Sequence, residues 1–151
     1  NNRYAMGTAA PRSTAKSDHL GARGEAFGIP SEQVDGMDVR AVKEAGDRAV
    51  EHCRSGEGPY ILEMLTYRYR GHSMSDPAKY RAKEEVQKMR EERDPIEQVK
   101  ARILKAGMAS EDDLKKIDAD IRVIVTEAAD FATSNPEPDA SELYTDIYKS
   151  A

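Results

Sequence analysis

The stretch EQVDGMDVRAVKEAGDRAVEHCRSGEGPYILEMLTYR, residues 32–68, decides the fold of this chain. Its first part, Glu32–Val34, predicts a short strand that ends in a turn. Residues 39–54 then carry apolar and small side chains at helical spacing, and the segment SGEGP stops that helix. The apolar segment 60–68 predicts a second strand. Strand, helix and strand in this order form one βαβ unit, so we expect an α/β fold with a parallel sheet and flanking helices.

Three finer expectations concern the same unit. Asp38 stands where its carboxylate can cap helix 39–54, because the first-turn amides of a helix lack partners. Cys53 lies in the apolar register of that helix, which predicts a small core residue. Segment 60–68 is too continuously apolar to alternate, as is typical of a strand that is covered on both faces.

The flanking segments differ in character. Residues 1–30 are rich in Gly, Pro and Ser, and predict mostly loop with one helical turn near Asp18. Three helices are predicted after the second strand, at 83–93, from Asp94 to Gly107, and from Ser110 onward. We therefore expect residues 1–81 to be the last part of an α/β domain, including a basic loop at 68–81. Residues 82–151 are expected to form a helical C-terminal region with an acidic tail.

The third helix has a narrow apolar seam on an otherwise charged surface. Its positions step by three and four residues, which is typical of one helix face. Packing against the domain and contact with a partner subunit explain such a seam equally well. Its members are Leu114, Ile117, Ile121, Ile124, Ala128 and Phe131.

Charge and composition exclude several classes of protein. Residues 1–83 carry 13 basic and 11 acidic side chains, and residues 84–151 carry 10 and 17. This balance argues against a nucleic-acid surface. No apolar run approaches the roughly 20 residues of a membrane span, and the first residues given lack the basic-then-apolar layout of a signal peptide. One cysteine allows no disulfide framework and suits a reducing compartment. The chain starts without Met at NNRYAMGT, which suggests a fragment.

The basic loop TYRYRGHSMSDPAKYR, residues 66–81, is the first candidate site. Arg68 and Arg70 provide fixed positive charge, and His72 can both bind an anion and move a proton. A flexible linker with solvated charges explains the same composition. Ser73 and Ser75 are possible phosphorylation sites, because a phosphate there would lie within reach of Arg70 and His72.

The segment NNRY is the second candidate. The Asn2 amide oxygen and the Tyr4 main-chain carbonyl are hard, neutral ligands that magnesium accepts beside a carboxylate and phosphate oxygens. Taken alone, the segment is explained better by a side chain that caps its own turn.

Taken in order, NNRYAMGT, VDGMD, CRSGEGPYILEMLTYRYRGHSMSDPAKYR and DPI resemble the C-terminal part of the alpha subunits of pyruvate dehydrogenases, within the thiamin-diphosphate-dependent 2-oxo acid dehydrogenase family. The resemblance runs from Asn1 to about Tyr148. It implies a thiamin-diphosphate-binding fold and oxidative decarboxylation of pyruvate with acetyl transfer to lipoamide. The alpha subunits of branched-chain 2-oxo acid or acetoin dehydrogenases are close rivals, and a helical interaction fragment without catalytic competence is an alternative of another class.

The resemblance also implies site residues. Asn2 and the Tyr4 carbonyl would bind Mg²⁺, and Arg68 and Arg70 would support the cofactor diphosphate. His72 would be the catalytic histidine, and Ser73 aligns with a regulatory phosphorylation site. The Gly-Asp-Gly half of the family's cofactor motif is absent, so we expect this chain alone to bind thiamin diphosphate poorly.

Partners and location follow from the same resemblance. It implies a heterotetramer of two alpha and two beta subunits, which works with the lipoyl domain and the core acetyltransferase of a multienzyme complex. The cytoplasm of a bacterium is the expected location, or the mitochondrial matrix if the source is eukaryotic.

Overall fold

A computed structural model describes residues 1–15 and 18–148. The chain forms two compact units, residues 1–105 and residues 106–151. The division that the sequence predicts after residue 81 stays a prediction. In the part of the chain that the structure describes, no helix combines the length and the apolarity that a membrane crossing requires.

The predicted βαβ unit is the centre of the first unit. Strand β3 (Ser31–Asp35) runs parallel to β4 (Ile61–Leu65), and helix α2 (Val39–Arg54) connects them. The predicted helix is confirmed at both ends, since it begins at Val39 and ends at Arg54. Asp38 caps its start by accepting a hydrogen bond from the Arg40 amide at 2.9 Å. The α/β fold class is therefore confirmed at the level of a short parallel sheet with a crossover helix.

Packing on this sheet depends on close approach of the backbone. The 3₁₀ helix Gly21–Phe27 packs on both strands. A Cβ atom at Gly24 would lie 2.4 Å from the Ile61 side chain, and one at Gly36 would lie 2.8 Å from the Leu65 carbonyl oxygen. Position 36 therefore needs glycine because its neighbour is backbone, whereas a side chain at Gly24 would have to displace the terminal methyl group of Ile61.

Two packing expectations were wrong. Cys53 is exposed, because the face of α2 that packs on the sheet is centred on the fully buried Ala45. Strand β4 is five residues long rather than nine, and its apolar side chains are only half-buried. Its one buried residue is the carboxylate Glu63.

The N-terminal segment is more ordered than its composition suggests. Strands β1 (Tyr4–Ala5) and β2 (Thr8–Ala9) form an antiparallel hairpin, and α1 (Ala10–Ser13) follows directly. The turn contains Gly7 at φ 67°, a backbone conformation that favours glycine. Two-residue strands are too short to show a period-two pattern, so the sequence predicted loop here.

Two of the predicted helices complete the first unit. Helix α3 spans Lys83–Arg93 and α4 spans Pro95–Lys105. Ion pairs join each of them to the turn that links β3 to α2. Arg93 pairs with Asp35, and Arg102 binds the Asp38 carboxylate at 3.1 and 2.9 Å.

The second unit consists of α5 (Glu111–Ser134) and the 3₁₀ helix Ala140–Tyr144. The predicted capping box is confirmed, since Ser110 accepts from the Asp113 amide and the Asp113 carboxylate accepts from the Ser110 amide. The predicted seam is exposed along most of the helix. Between 52% and 70% of each of Ile117, Ile121, Ile124 and Phe131 is accessible.

Candidate active site

The N-terminal segment leaves the sheet where the strands end. The Asn1 nitrogen donates to the Met64 carbonyl at 2.7 Å, and the Thr66 amide donates to the Asn1 carbonyl at 2.9 Å. These are the two bonds of a parallel pair with Leu65, on the side of β4 away from β3. Ligands of parallel sheets bind beyond the carboxyl ends of the strands. Residues 1–4 and the start of the basic loop therefore share the edge where a ligand is expected.

Asn2 and Tyr4 form a tight corner at this edge. The Asn2 side-chain oxygen accepts from the Tyr4 amide at 3.1 Å, so the turn-capping alternative is realised. Arg3 between them has φ 61°. An amide oxygen has two lone pairs, so one remains for a metal ion. Tyr4 faces Ala9 as the non-hydrogen-bonded pair of the hairpin, which directs its carbonyl away from β2. Both oxygens can thus act as ligands.

Glu63 in the middle of β4 binds Asn1, next to this corner, and the sequence did not predict this contact. Its carboxylate accepts from the Asn1 side-chain amide at 2.6 Å, the Gly21 amide at 3.0 Å and Gln33 Nε2 at 3.4 Å. Burial raises the pKa of Glu63, but these donors outweigh burial and the net pKa is lowered. The ionised carboxylate therefore fixes Asn1. A charged residue inside an otherwise apolar strand is the signal that could have revealed it.

The basic loop is built around Asp76, which the sequence analysis also overlooked. Its carboxylate accepts from the amides of His72 at 2.8 Å and Ala78 at 2.9 Å, and from the Tyr80 hydroxyl at 2.8 Å. The two backbone donors lower the pKa of Asp76. A Cβ atom at Gly71 would lie 2.6 Å from the Asp76 carbonyl oxygen, so the turn also needs this glycine. The loop has its own internal framework rather than only solvated charges.

Arg81 attaches the end of the loop to its beginning. Its guanidinium donates to the carbonyls of Arg68 and Arg70, the latter at 2.8 Å. The same group lies 5.1 Å from the ring centre of Tyr4 and 5.3 Å from that of Tyr67. A planar cation between aromatic rings gains cation–π attraction at each face. Arg81 therefore links the loop to the NNRY corner.

Glu85 on α3 completes this cluster. The hydroxyls of Tyr4 and Tyr67 both donate to its carboxylate, at 2.9 and 2.7 Å. These two hydrogen bonds lower the pKa of Glu85. Burial, followed by the bond to Glu85, raises the pKa of both tyrosines. Both phenols thus stay protonated in the neutral range and serve as donors.

The structure brings together only part of the predicted site. Half-buried Arg68 reaches the Ala5 carbonyl at 3.5 Å and so lies beside the NNRY corner. Arg70 and His72 are exposed, and within the described residues no hydrogen bond joins either side chain to that corner. The exposed Ser73 hydroxyl contacts that of Ser75 at 3.0 Å. It is therefore accessible.

The donor set fits part of a metal–diphosphate site. The corner offers two neutral oxygens, and the loop offers cations for an anion. Glu63, the carboxylate beside the corner, is already saturated by three donors. Over residues 1–15 and 18–148, no group of three or more His, Cys, Asp or Glu side chains could hold a metal ion by itself.

The amino-acid sequence of this chain matches one class of protein. The family model for the dehydrogenase E1 component matches residues 1–141, and the chain belongs to that family. Among curated relatives, a pyruvate dehydrogenase E1 component subunit alpha from Rhizobium meliloti is 71% identical over 147 residues, which are 97% of this chain and 42% of the relative. The subunit of the same name from Zymomonas mobilis is 54% identical, over 97% of this chain and 41% of the relative.

Mitochondrial proteins match over the same range. The somatic form of pyruvate dehydrogenase E1 component subunit alpha from Homo sapiens is 48% identical over 151 residues, 99% of this chain and 38% of that protein. The chain thus spans about two fifths of the length of the relatives it matches.

Proposed function

We propose that this chain is part of the alpha subunit of a pyruvate dehydrogenase E1 component and contributes to a thiamin diphosphate and Mg²⁺ site. The 71% identity to the Rhizobium meliloti subunit carries the proposal. The NNRY corner supports it, because two ligand-competent oxygens lie at the carboxyl edge of a parallel sheet beside a cationic loop. The thiamin-diphosphate-binding fold, with β3, α2 and β4 as one of its βαβ units, belongs to the same proposal.

Each residue then has a role in binding or proton transfer. When bound, thiamin diphosphate supplies the electron sink for loss of carbon dioxide from a 2-oxo acid. The Asn2 side-chain oxygen and the Tyr4 carbonyl coordinate Mg²⁺.

The basic loop acts on the diphosphate and the substrate. Arg68 and Arg70 neutralise diphosphate oxygens. His72 hydrogen-bonds the same group and delivers a proton to the oxygen of the substrate's 2-oxo group. A phosphate on Ser73 would place about two negative charges in that anion site and block it.

The overall reaction takes pyruvate and the disulfide of lipoamide to carbon dioxide and acetylated dihydrolipoamide. We propose that it requires a heterotetramer of two alpha and two beta subunits, and that the lipoyl domain and core acetyltransferase of the complex receive the acetyl group. The location follows the relatives, the cytoplasm in a bacterium or the mitochondrial matrix in a eukaryote.

Substrate preference tests this function. The full-length subunit, assembled with its beta subunit, is assayed on pyruvate and on 3-methyl-2-oxobutanoate. We expect faster turnover of pyruvate; faster turnover of the branched acid would assign the chain to the branched-chain enzymes instead. His72→Ala should lower lipoamide acetylation far more than it lowers the melting temperature. An unchanged rate would remove His72 from the mechanism.

A second candidate, a helical interaction module, is favoured by the exposed seam of α5. In that case Ile121→Asp and Ile124→Asp should abolish co-purification with a partner subunit and leave the helix content unchanged. Glu127→Lys, an exposed change on the same helix, is the control. Retained co-purification in the two Asp variants would remove the seam as a docking face.

A further inference from the structure

A cationic cleft lies between the second half of the basic loop and helix α3. Its volume is about 470 Å³, within the range typical of sites for small molecules. Pro77, Ala78 and Val86 contribute an apolar wall. The cleft lies entirely within the first unit, residues 1–105.

Four cationic side chains line this cleft, namely Lys79, Arg81, Lys83 and Arg90, and none of the described acidic residues does. Arg81 donates to carbonyls of the loop, and the Arg90 guanidinium lies 5.0 Å from the centre of the Tyr69 ring. Lys79 and Lys83 make no hydrogen bond or ion pair within the described residues. Two fixed and two unpaired cations around one cavity create a strong local preference for an anion.

The neighbouring carboxylates do not neutralise the cleft. Glu85 on α3 binds Tyr4 and Tyr67 outside it. Glu84 and Glu91 line an adjacent open groove, which shares Lys83 and Gln87 with the cleft. Asp94 and Glu97 line a second neighbouring pocket, which shares Tyr69 and Arg90 with it. Asp76 is saturated by three donors within the loop. The acids of this region thus lie beside the cleft, and the residues that line the cleft itself carry only positive charge.

The cleft differs from the proposed cofactor site. None of Asn2, Tyr4, Arg68, Arg70 and His72 lines it. Tyr69 and Gly71 line the cleft and alternate along the loop with Arg68, Arg70 and His72. The two sites thus use different side chains of one short loop, apart from Arg81, which lines the cleft and also lies 5.1 Å from the centre of the Tyr4 ring.

We propose that this cleft binds a small phosphate-bearing molecule, with the phosphate between Lys79 and Lys83 and the organic part against the apolar wall. Lysine is a good phosphate ligand as a mobile point charge. Lys79 belongs to the loop and Lys83 to α3, so the ligand joins the two. Occupancy therefore restrains the loop that carries His72, which gives the protein a regulatory anion site.

The test uses inorganic phosphate as the probe. The full-length subunit is assembled with its beta subunit and saturated with thiamin diphosphate and Mg²⁺, and phosphate is titrated by ³¹P NMR line broadening. We expect saturable binding that the pair Lys79→Gln and Lys83→Gln weakens about tenfold. The matched charge control is Lys105→Gln with Lys116→Gln, which should shift the Kd by less than about twofold. Arginine at positions 79 and 83 should retain binding, which guards against a folding defect in the Gln pair.

Three results would overturn the proposal. Absence of saturable broadening would show that the cleft does not select phosphate. Equal weakening in the control pair would show binding by overall charge alone. In a parallel titration of the cofactor-free assembly, saturable phosphate binding that the cofactor-saturated assembly lacks would assign the phosphate to the cofactor site. The readout does not depend on pyruvate turnover, so failure here is distinct from failure of the proposed catalytic function.

Discussion

Glu63→Gln is the most informative perturbation, because this carboxylate supports both the fold and the NNRY corner. Only 5% of its side chain is accessible. Oε1 accepts from the Asn1 side-chain amide and Oε2 from the Gly21 amide. Glutamine keeps the size of the side chain but turns one of these acceptors into an N–H donor. One buried donor must then lose its partner.

The magnitude follows from that loss. A buried donor left unpaired costs about 1–3 kcal/mol, and the remaining bond loses about 1 kcal/mol when its acceptor is no longer charged. A neutral amide avoids part of the cost of burying a charge, which offsets some of this loss. We therefore expect the free energy of unfolding to fall by about 2–3 kcal/mol. Because Asn1 precedes Asn2, which we propose as a magnesium ligand, magnesium affinity should fall as well.

The pH dependence provides an independent check. The folded-state pKa of Glu63 lies below its ordinary value of 4.5. Its charge therefore stabilises the fold fully above pH 4.5, and that contribution is lost as the pH falls through the lowered pKa. The stability difference between wild type and Glu63→Gln should thus narrow in acid.

Urea unfolding of the full-length subunit, followed by circular dichroism, measures the effect. Glu84→Gln removes the same charge from an exposed position of α3 and should change the unfolding free energy by less than about 0.5 kcal/mol. Magnesium affinity is measured by calorimetry in the presence of thiamin diphosphate. If Glu63→Gln were as stable as Glu84→Gln, the assignment of Glu63 as the support of the corner would be refuted.

Three further predictions concern the loop and the turn. Asp76→Asn should speed tryptic cleavage of the loop roughly threefold to tenfold, because one of its three donors loses its acceptor; an unchanged rate would contradict the framework role of Asp76. Arg81→Lys replaces a planar guanidinium, whose two nitrogens bind two carbonyls, with a single ammonium nitrogen. We expect thiamin diphosphate to bind about tenfold more weakly by calorimetry, and an unchanged affinity would contradict the role of Arg81 in positioning the loop. The hydrogen bonds from Arg102 and then from the Arg40 amide lower the pKa of Asp38 from 3.8 to about 2. The ion pair of Asp38 with Arg102 therefore stabilises the fold above pH 3.8, and this contribution is lost as the pH falls towards 2. In Arg102→Gln, a carboxyl-carbon NMR titration should show the pKa of Asp38 closer to 3.8.

Local sequence patterns predicted the elements that depend on local interactions. Helix α2 begins after the Asp38 cap and ends at Arg54 as expected, and the Ser110 capping box is present. Capping bonds join residues two or three positions apart, so their partners can be read directly from the sequence. The β1–β2 hairpin was missed because two-residue strands have no readable period.

The residues of the candidate site also form two groups, those that the sequence indicated and those that only the structure revealed. The oxygens of Asn2 and Tyr4 and the cations of the loop were recognisable as residue types in a known order. Glu63, Asp76 and Arg81 were not, although they position those groups. Arg81 reaches Arg68, 13 residues away, and Glu63 reaches Asn1, 62 residues away. A local sequence pattern does not indicate which residue, so far along the chain, will become the hydrogen-bond partner.

The sequence by itself therefore determined the βαβ order, the helix ends and the chemical types available at the sheet edge, since these depend on propensity and near neighbours. Only the tertiary structure decided which face of α2 is buried, which exposed Cys53 and centred the contact on Ala45. It also decided that the carboxylate in the middle of β4, Glu63, is buried. The physical reason is that a buried charge is tolerated only when distant donors converge on it, and that convergence exists only in the folded chain.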